Sequence, residues 1–279
     1  IARIARGNGH TKVLCQIDNV EPHEHHLTDK PFNRYYLHSV DGFVYMSEQV
    51  HSELRAYSDA PALFSPHPLF ENFGERVERS EACVRLGLDP ANRYVLFFGL
   101  IRDYKGLDLL LDAWAQLRRA GRTEGRRLIV AGEFYTCLFY TAREPYLNRI
   151  ADNGLQDEVL LHDRFIPDDD VKYYFSAADF VVQPYKTATQ SGVTQIAYQF
   201  CVPMVVTKVG GLAEIVPDGR VGYVCEPTPE GVAGAIERMY EGDTLQRFRE
   251  NCVEERRRFS WEEMCSRITE LYGLVASGK

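Results

Sequence analysis

Six short apolar runs constrain this chain more than any other feature. They lie at residues 94–98, 127–131, 159–162, 180–183, 204–207 and 222–225. Each has the length of a strand and is too short for a helix of its own. Longer segments separate them, with apolar residues spaced three and four apart, as in Leu107, Leu110, Leu111 and Trp114; this is the pattern of an amphipathic helix. Runs that are apolar without alternation predict strands buried on both faces. Strands of that kind alternating with helices predict a parallel sheet covered on each side. Right-handed crossovers then wind the sheet doubly, and such sheets take their ligands at the carboxyl ends of the strands. The expected fold class is α/β.

The residues ahead of this block alternate in the same way. Strands are expected at 13–17, 42–46 and 62–64, a helix at 32–37, and a further helix starting at Ser47, whose hydroxyl is placed to cap it. Residues 65–74 hold two prolines and a glycine without helical period, and read as a linker. After the sixth run, residues 229–241, 243–258 and 260–276 are expected to be helical. The run of Glu254, Glu255, Arg256, Arg257 and Arg258 reads there as a solvated helix face. The chain opens on Ile1, without an initiator Met, in what looks like the last turns of a helix. A domain opening this way lacks its first strands, so a longer natural protein is expected.

A net charge of −8 argues against broad nucleic-acid binding, which needs a basic face. Seven cysteines, scattered and without a Cys-x-x-Cys pair, suit reduced thiols in a cytosol. No apolar run approaches the ~18 residues of a membrane span, and no signal peptide is visible. The expected location is cytoplasmic, with the inner face of the membrane left open.

The chemistry concentrates at the ends of the runs. After the first come Gly99, Leu100, Ile101, Arg102, Asp103, Tyr104, Lys105 and Gly106. A glycine ends a strand, and two cations stand where the next helix begins. A helix start favours anions, Arg102 can grip a phosphate with two parallel bonds, and Lys105 adds a point charge. The pattern suits a diphosphate; an ordinary turn with solvated cations is the alternative. After the fourth run, Thr189, Gln190, Ser191 and Gly192 open a helix, and Ser191 and Gly192 allow a phosphate close to backbone N–H groups. After the fifth, Gly210 and Gly211 precede a short helix bearing Glu214. Glu133 follows the second run and could bond a ribose. Phe165 and Ile166 follow the third, where backbone could meet a nucleobase edge.

This order of segments resembles glycosyltransferase family 4. It runs Gly-x-x-Arg-x-x-Lys-Gly, Ala-Gly-Glu, Phe-Ile-Pro, Ala-Ala-Asp with Pro-Tyr, then Pro-Met-Val-Val-Thr-x-Val-Gly-Gly-Leu-x-Glu-Ile-Val. The resemblance covers about residues 80–276. It implies a GT-B fold with a complete C-terminal Rossmann-like domain at 75–259 and the second half of an N-terminal, acceptor-side Rossmann-like domain at 1–74. It also implies a helix at 260–279 packing back toward the N-terminal domain.

The resemblance further implies a retaining, metal-independent hexosyltransferase acting in polysaccharide biosynthesis. Its donor is a nucleoside-diphosphate sugar of the UDP or GDP type, with no further cofactor. Its acceptor is a saccharide or lipid-linked saccharide, and peripheral membrane contact through the missing N-terminal part stays open. Arg102 and Lys105 match the pair that neutralises the donor diphosphate, and Gly99 lets backbone approach it. Asp18 and His23 match a loop facing the cleft, where they orient the acceptor or steady developing positive charge.

One departure stands out. Many members carry two glutamates with seven residues between them, and gapless counting back from Pro203 puts Ala188 and Ile196 at those positions. Sugar contacts then fall to Thr189, Gln190 and Ser191, and ribose contacts to Glu133 or Glu214. Two alternatives remain: a nucleotide-sugar-binding domain without turnover, and a sugar-nucleotide epimerase on the same architecture. His23, Glu24, His25 and His26 form too tight a run to converge on one metal ion without distant partners.

Overall fold

The computed structural model describes residues 1–20, 29–134 and 143–277. In chain order it opens with α1 (Ala2–Arg6), β1 (Leu14–Ile17), α2 (Asp29–Leu37), β2 (Gly42–Tyr45), α3 (Glu48–Arg55) and β3 (Ala62–Phe64). A long α/β series follows: α4 (Arg79–Leu86), β4 (Arg93–Phe98), α5 (Leu107–Arg119), β5 (Arg126–Ala131), α6 (Glu144–Asp152), β6 (Val159–His162), α7 (Asp168–Ala177) and β7 (Phe180–Gln183). The series continues through α8 (Gly192–Gln199), β8 (Met204–Thr207), α9 (Leu212–Ile215), β9 (Gly222–Cys225), α10 (Pro229–Met239) and α11 (Thr244–Glu255), and α12 (Trp261–Ser277) closes it. Two compact units result, Ile1–Pro68 with Arg258–Lys279, and Leu69–Arg257.

In the first unit three parallel strands lie in the order β1-β2-β3. All four residues of β2 are buried, so both faces of the sheet are covered. Phe43 and Tyr45 join Ile17, Leu37, Val50 and Leu54 on one face. Val44 points the other way and meets Met264, Leu271 and Val275 of α12. Ser47 caps α3 by accepting the Val50 N–H at 3.3 Å. No helix among the described residues is long and apolar enough to cross a membrane.

The second unit is a six-stranded parallel sheet in the order β6-β5-β4-β7-β8-β9. Renumbered within the unit this is 3-2-1-4-5-6, the Rossmann order, in which the order of strands across the sheet reverses between the first and fourth strands. Here those strands are β4 and β7. Both are apolar along their buried lengths except for Gln183 at the end of β7, and Trp114, Phe97, Phe180 and Phe248 fill one core between sheet and helices. At the amino end of the sheet Asp179 is buried. It accepts the Tyr94 N–H at 2.8 Å and faces Arg93 at 3.3 Å and Arg249 at 3.9 Å.

Two expectations need correction. Arg256 does not belong to a solvated helix face: α11 ends at Glu255, a 3₁₀ turn follows, and Arg256 donates to the Gln199 carbonyl at 3.0 Å. Residues 65–74 are not a bare linker either, since Ser65 and Leu69 are buried and a 3₁₀ turn spans Glu71–Phe73.

Candidate active site

The crevice of a doubly wound sheet opens where adjacent strands send their chains to opposite faces. The β4–α5 and β7–α8 loops flank that point, and both are held at backbone contact. Gly106 has φ +66°, and a Cβ there would lie 2.0 Å from the Pro184 carbonyl oxygen. Only glycine permits that approach. Gly99, at φ +96°, leaves the space into which a side chain reaches: its absent Cβ would stand 3.0 Å from Lys105 Nζ and 3.6 Å from Val193 Cγ2 on α8. The β5–α6 loop joins them, with Gly99 N–H donating to the Ala131 carbonyl (2.9 Å) and Ile101 N–H to the Glu133 carbonyl (2.8 Å).

Lys105 is the centre of this arrangement. A 3₁₀ turn at Asp103–Lys105 separates Arg102 from the first residue of α5, so the two cations sit on a turn ahead of the helix. The turn drives Lys105 inward until it is 9% exposed. Among the described residues no hydrogen bond or ion pair holds its ammonium. The Tyr185 ring, with its centroid 5.8 Å from Nζ, is the aromatic face beside it. Burial pushes its pKa down to about 8, and the positive charge of Arg102 adds to the effect. An enclosed charge without a counter-charge is costly, and an anion brought beside it removes that cost. This overturns the alternative of an ordinary turn whose cations are solvated, at least for Lys105.

The β7–α8 loop supplies the opposite wall. Tyr185 is buried, and its hydroxyl lies 3.1 Å from Ser191 Oγ. Burial pushes the Tyr185 phenol above its ordinary range, so it stays protonated. Ser191 caps α8 by accepting the Val193 N–H at 3.2 Å. Thr189 is buried, and its carbonyl accepts the Gly211 N–H at 3.1 Å, which brings the β8–α9 loop alongside. Ala188 and Ile196 are buried apolar side chains.

The structure therefore gathers Gly99, Arg102, Lys105, Thr189 and Ser191 at the β4/β7 crevice, with Gln190 and Gly192 between or beside them in the chain. Glu133 and Glu214 have exposed side chains on the adjoining loop and on α9. Phe165 is 68% exposed after β6, whereas Ile166 next to it is buried. Asp18 is exposed in the bend after β1, in the first unit. His23 and the rest of the histidine run lie outside the described residues. Among the described residues no three His, Cys, Asp or Glu side chains come together as metal ligands.

Two residues of the site carried no role in the sequence reading. Tyr185 could have been suspected, as an aromatic directly after a buried strand. Lys186 gave no signal. Its ammonium reaches Asp103 Oδ1 and Asp108 Oδ2, each at 2.9 Å, and its N–H donates to the Tyr104 carbonyl at 2.7 Å. Burial lowers its pKa, but the bonds to Asp108 and Asp103 outweigh this and hold it above the ordinary value.

Comparison with known proteins bears on the family and the fold. Residues 92–242 match the family model described as glycosyl transferases group 1. The chain is 31% identical over 245 residues to the D-inositol 3-phosphate glycosyltransferase 2 of Catenulispora acidiphila, covering 84% of this chain and 56% of that protein. It spans about half the length of the curated relatives it matches. Among solved structures it superposes on Anabaena Alr3699/HepE in complex with UDP at a TM-score of 0.79 and 19% identity, over 97% of this chain and 74% of that one. Sucrose-phosphate synthase from Thermosynechococcus elongatus gives 0.78 at 20% identity, over 95% and 68%. These likenesses are of fold, and the fold is GT-B. Taken with the family match across the strands and loops that build the crevice, they make this chain a member of the glycosyl transferases group 1 family.

Proposed function

We propose that the second unit binds a nucleoside-diphosphate sugar of the UDP or GDP type and that the protein transfers its sugar to a saccharide or lipid-linked saccharide. One observation carries this reading: the enclosed ammonium of Lys105, without a hydrogen-bond or ion-pair partner among the described residues, beside Gly99 and Arg102 at the crevice of a doubly wound sheet. The UDP bound by the similarly folded Anabaena protein supports the ligand class.

In this reading the bond from the anomeric carbon to the phosphate oxygen breaks, and both electrons remain on the departing diphosphate. Lys105 and Arg102 offset that growing charge, the part a divalent ion plays in other transferases. The acceptor hydroxyl attacks from the face the diphosphate leaves and passes its proton to a phosphate oxygen, so configuration is retained. The buried Tyr185 hydroxyl and Ser191 orient the start of α8, where Ser191 holds the Val193 N–H through its hydroxyl and the Thr194 N–H through its carbonyl. Glu133 and Glu214 are the candidates for ribose and sugar hydroxyls, and Phe165 with Ile166 for the base. Asp18 and His23 are proposed on the acceptor side.

A second reading is favoured by one observation. The apolar side chains of Ala188 and Ile196 stand where family resemblance expects glutamates, which suits donor binding without turnover. Calorimetry with UDP and GDP, set beside a transfer assay with their sugars, separates the two. Wild type is expected to bind one of the diphosphates, and Lys105→Ala to bind it at least thirtyfold more weakly, the usual scale for truncating a buried charge partner. Equal binding by the variant refutes the site. Binding without any sugar transfer or hydrolysis favours the second reading.

A further inference from the structure

We infer that Lys186 is a positioning residue for the donor diphosphate: it locks the Arg102–Gly106 turn against the β7–α8 loop and withdraws two carboxylates from the cations of that turn. The inference rests on the diphosphate reading of the crevice.

The turn is short and carries its own opposition. Asp103 lies between Arg102 and Lys105 in the chain, and Asp108 follows in the first turn of α5. Left alone, these carboxylates would compete with a diphosphate for the same cations. Lys186 takes both at 2.9 Å. The remaining ion pair in this cluster, Arg149 with Asp112 at 2.6 Å, is already made, so Arg149 does not substitute for it. With Lys186 present, the formal charges of Arg102, Asp103, Lys105, Asp108 and Lys186 leave one positive charge; without it they cancel.

Geometry adds to charge. The Lys186 N–H fixes the Tyr104 carbonyl at 2.7 Å, and the Pro184 carbonyl presses on Gly106. Residues 184 and 186 thus hold the turn at 104, 103 and 106 from one side. The same loop continues to Thr189 and Ser191, so the side chain of Lys186 couples the cationic wall to the wall that starts α8. The ammonium is about one-third exposed, which places it at the rim, where it acts on its neighbours instead of filling a core.

The test is UDP titration calorimetry on wild type, Lys186→Met, Lys186→Arg, Lys186→Met/Asp103→Asn and Lys105→Ala, with melting temperatures recorded on the same samples. Lys186→Met is expected to weaken UDP about tenfold, the scale of one unit charge acting on a diphosphate from roughly 10 Å through a partly aqueous medium. Lys186→Arg is expected to stay within threefold of wild type, and the double variant to recover most of the loss. Unchanged affinity in Lys186→Met overturns the inference. So does a loss that Lys186→Arg fails to rescue and that follows the melting temperature, because that is a purely structural role. Should Lys186→Met not fold, Asp103→Asn alone tests the same electrostatics at a largely exposed carboxylate. Tighter UDP supports the inference, and unchanged or weaker UDP overturns it. Lys105→Ala separates the two levels: if it binds UDP like wild type, the diphosphate reading itself falls.

Discussion

Raising the pH from 7 to 9 will loosen UDP from the wild-type protein and leave the residual binding of Lys105→Met nearly constant. Burial holds the Lys105 ammonium at a pKa of about 8, against 10.5 for an ordinary lysine. At ~1.4 kcal/mol per unit this is a cost of roughly 3 kcal/mol for charging the folded, unliganded protein. Because the folded value lies below the unfolded one, the cost is complete below pH 8 and disappears as pH rises through 8 toward 10.5. The free protein therefore becomes more stable across that window. A diphosphate acts in the opposite sense: its charge beside Nζ favours the ammonium, so binding draws a proton onto any lysine that has lost one. Proton uptake is expected to be small at pH 7, about one half at pH 8 and nearly one at pH 9, and affinity to fall up to tenfold per unit above 8. The second ionisation of a phosphate, near pH ~6, lies outside this window. Calorimetry in Hepes and in Tris, whose ionisation heats differ, reads the uptake directly. Uptake below a tenth of a proton at pH 9, or equal uptake in Lys105→Met, refutes the assignment of Lys105 as the group that meets the diphosphate.

Gly106→Ala puts a Cβ into the Pro184 carbonyl and a side chain at a positive φ, so it is expected to cost about 2–4 kcal/mol in urea unfolding and to abolish UDP binding; a variant of wild-type stability would mean that the two loops are not in backbone contact. Asp179→Asn removes a buried charge held by Arg93, Arg249 and the Tyr94 N–H, at the end of the sheet remote from the crevice. It is expected to lose roughly 3 kcal/mol of stability with UDP affinity within twofold of wild type, and a loss under ~1 kcal/mol would show that Asp179 is dispensable.

The strands were legible in the sequence because burial on both faces writes itself as uninterrupted apolar residues. The expected runs at 180–183 and 204–207 coincide with β7 and β8, which are buried throughout, and the Ser47 cap falls where the hydroxyl predicted it. What sequence could not show was where charged side chains end up. Lysine, arginine and aspartate in a loop are most economically read as solvated. Whether one is buried depends on which other loop crosses it, and that is fixed by strand order, not by neighbours in the chain. Lys105 was expected to meet a diphosphate, with a solvated turn as the alternative, but nothing in the chain around it foretold that it is enclosed in the room Gly99 leaves. Lys186 had no distinguishing neighbour, and its partners Asp103 and Asp108 lie about eighty residues earlier. Arg256 misled for the same reason, its carbonyl partner Gln199 being far off in sequence. The crevice was predictable as a place; its electrostatic wiring was not.

The first unit is discontinuous, and that has a consequence for synthesis on the ribosome. One face of β2 stays open to water until Met264, Leu271 and Val275 arrive on α12, nearly two hundred residues after β3. At ~5–20 residues per second the nascent chain waits at least ten seconds with that apolar face exposed. Meanwhile the contiguous second unit can emerge and fold as a block. The later-translated half is thus the first able to finish, and a nonsense codon just before α12 would strand the earlier half as a target for chaperones and proteases.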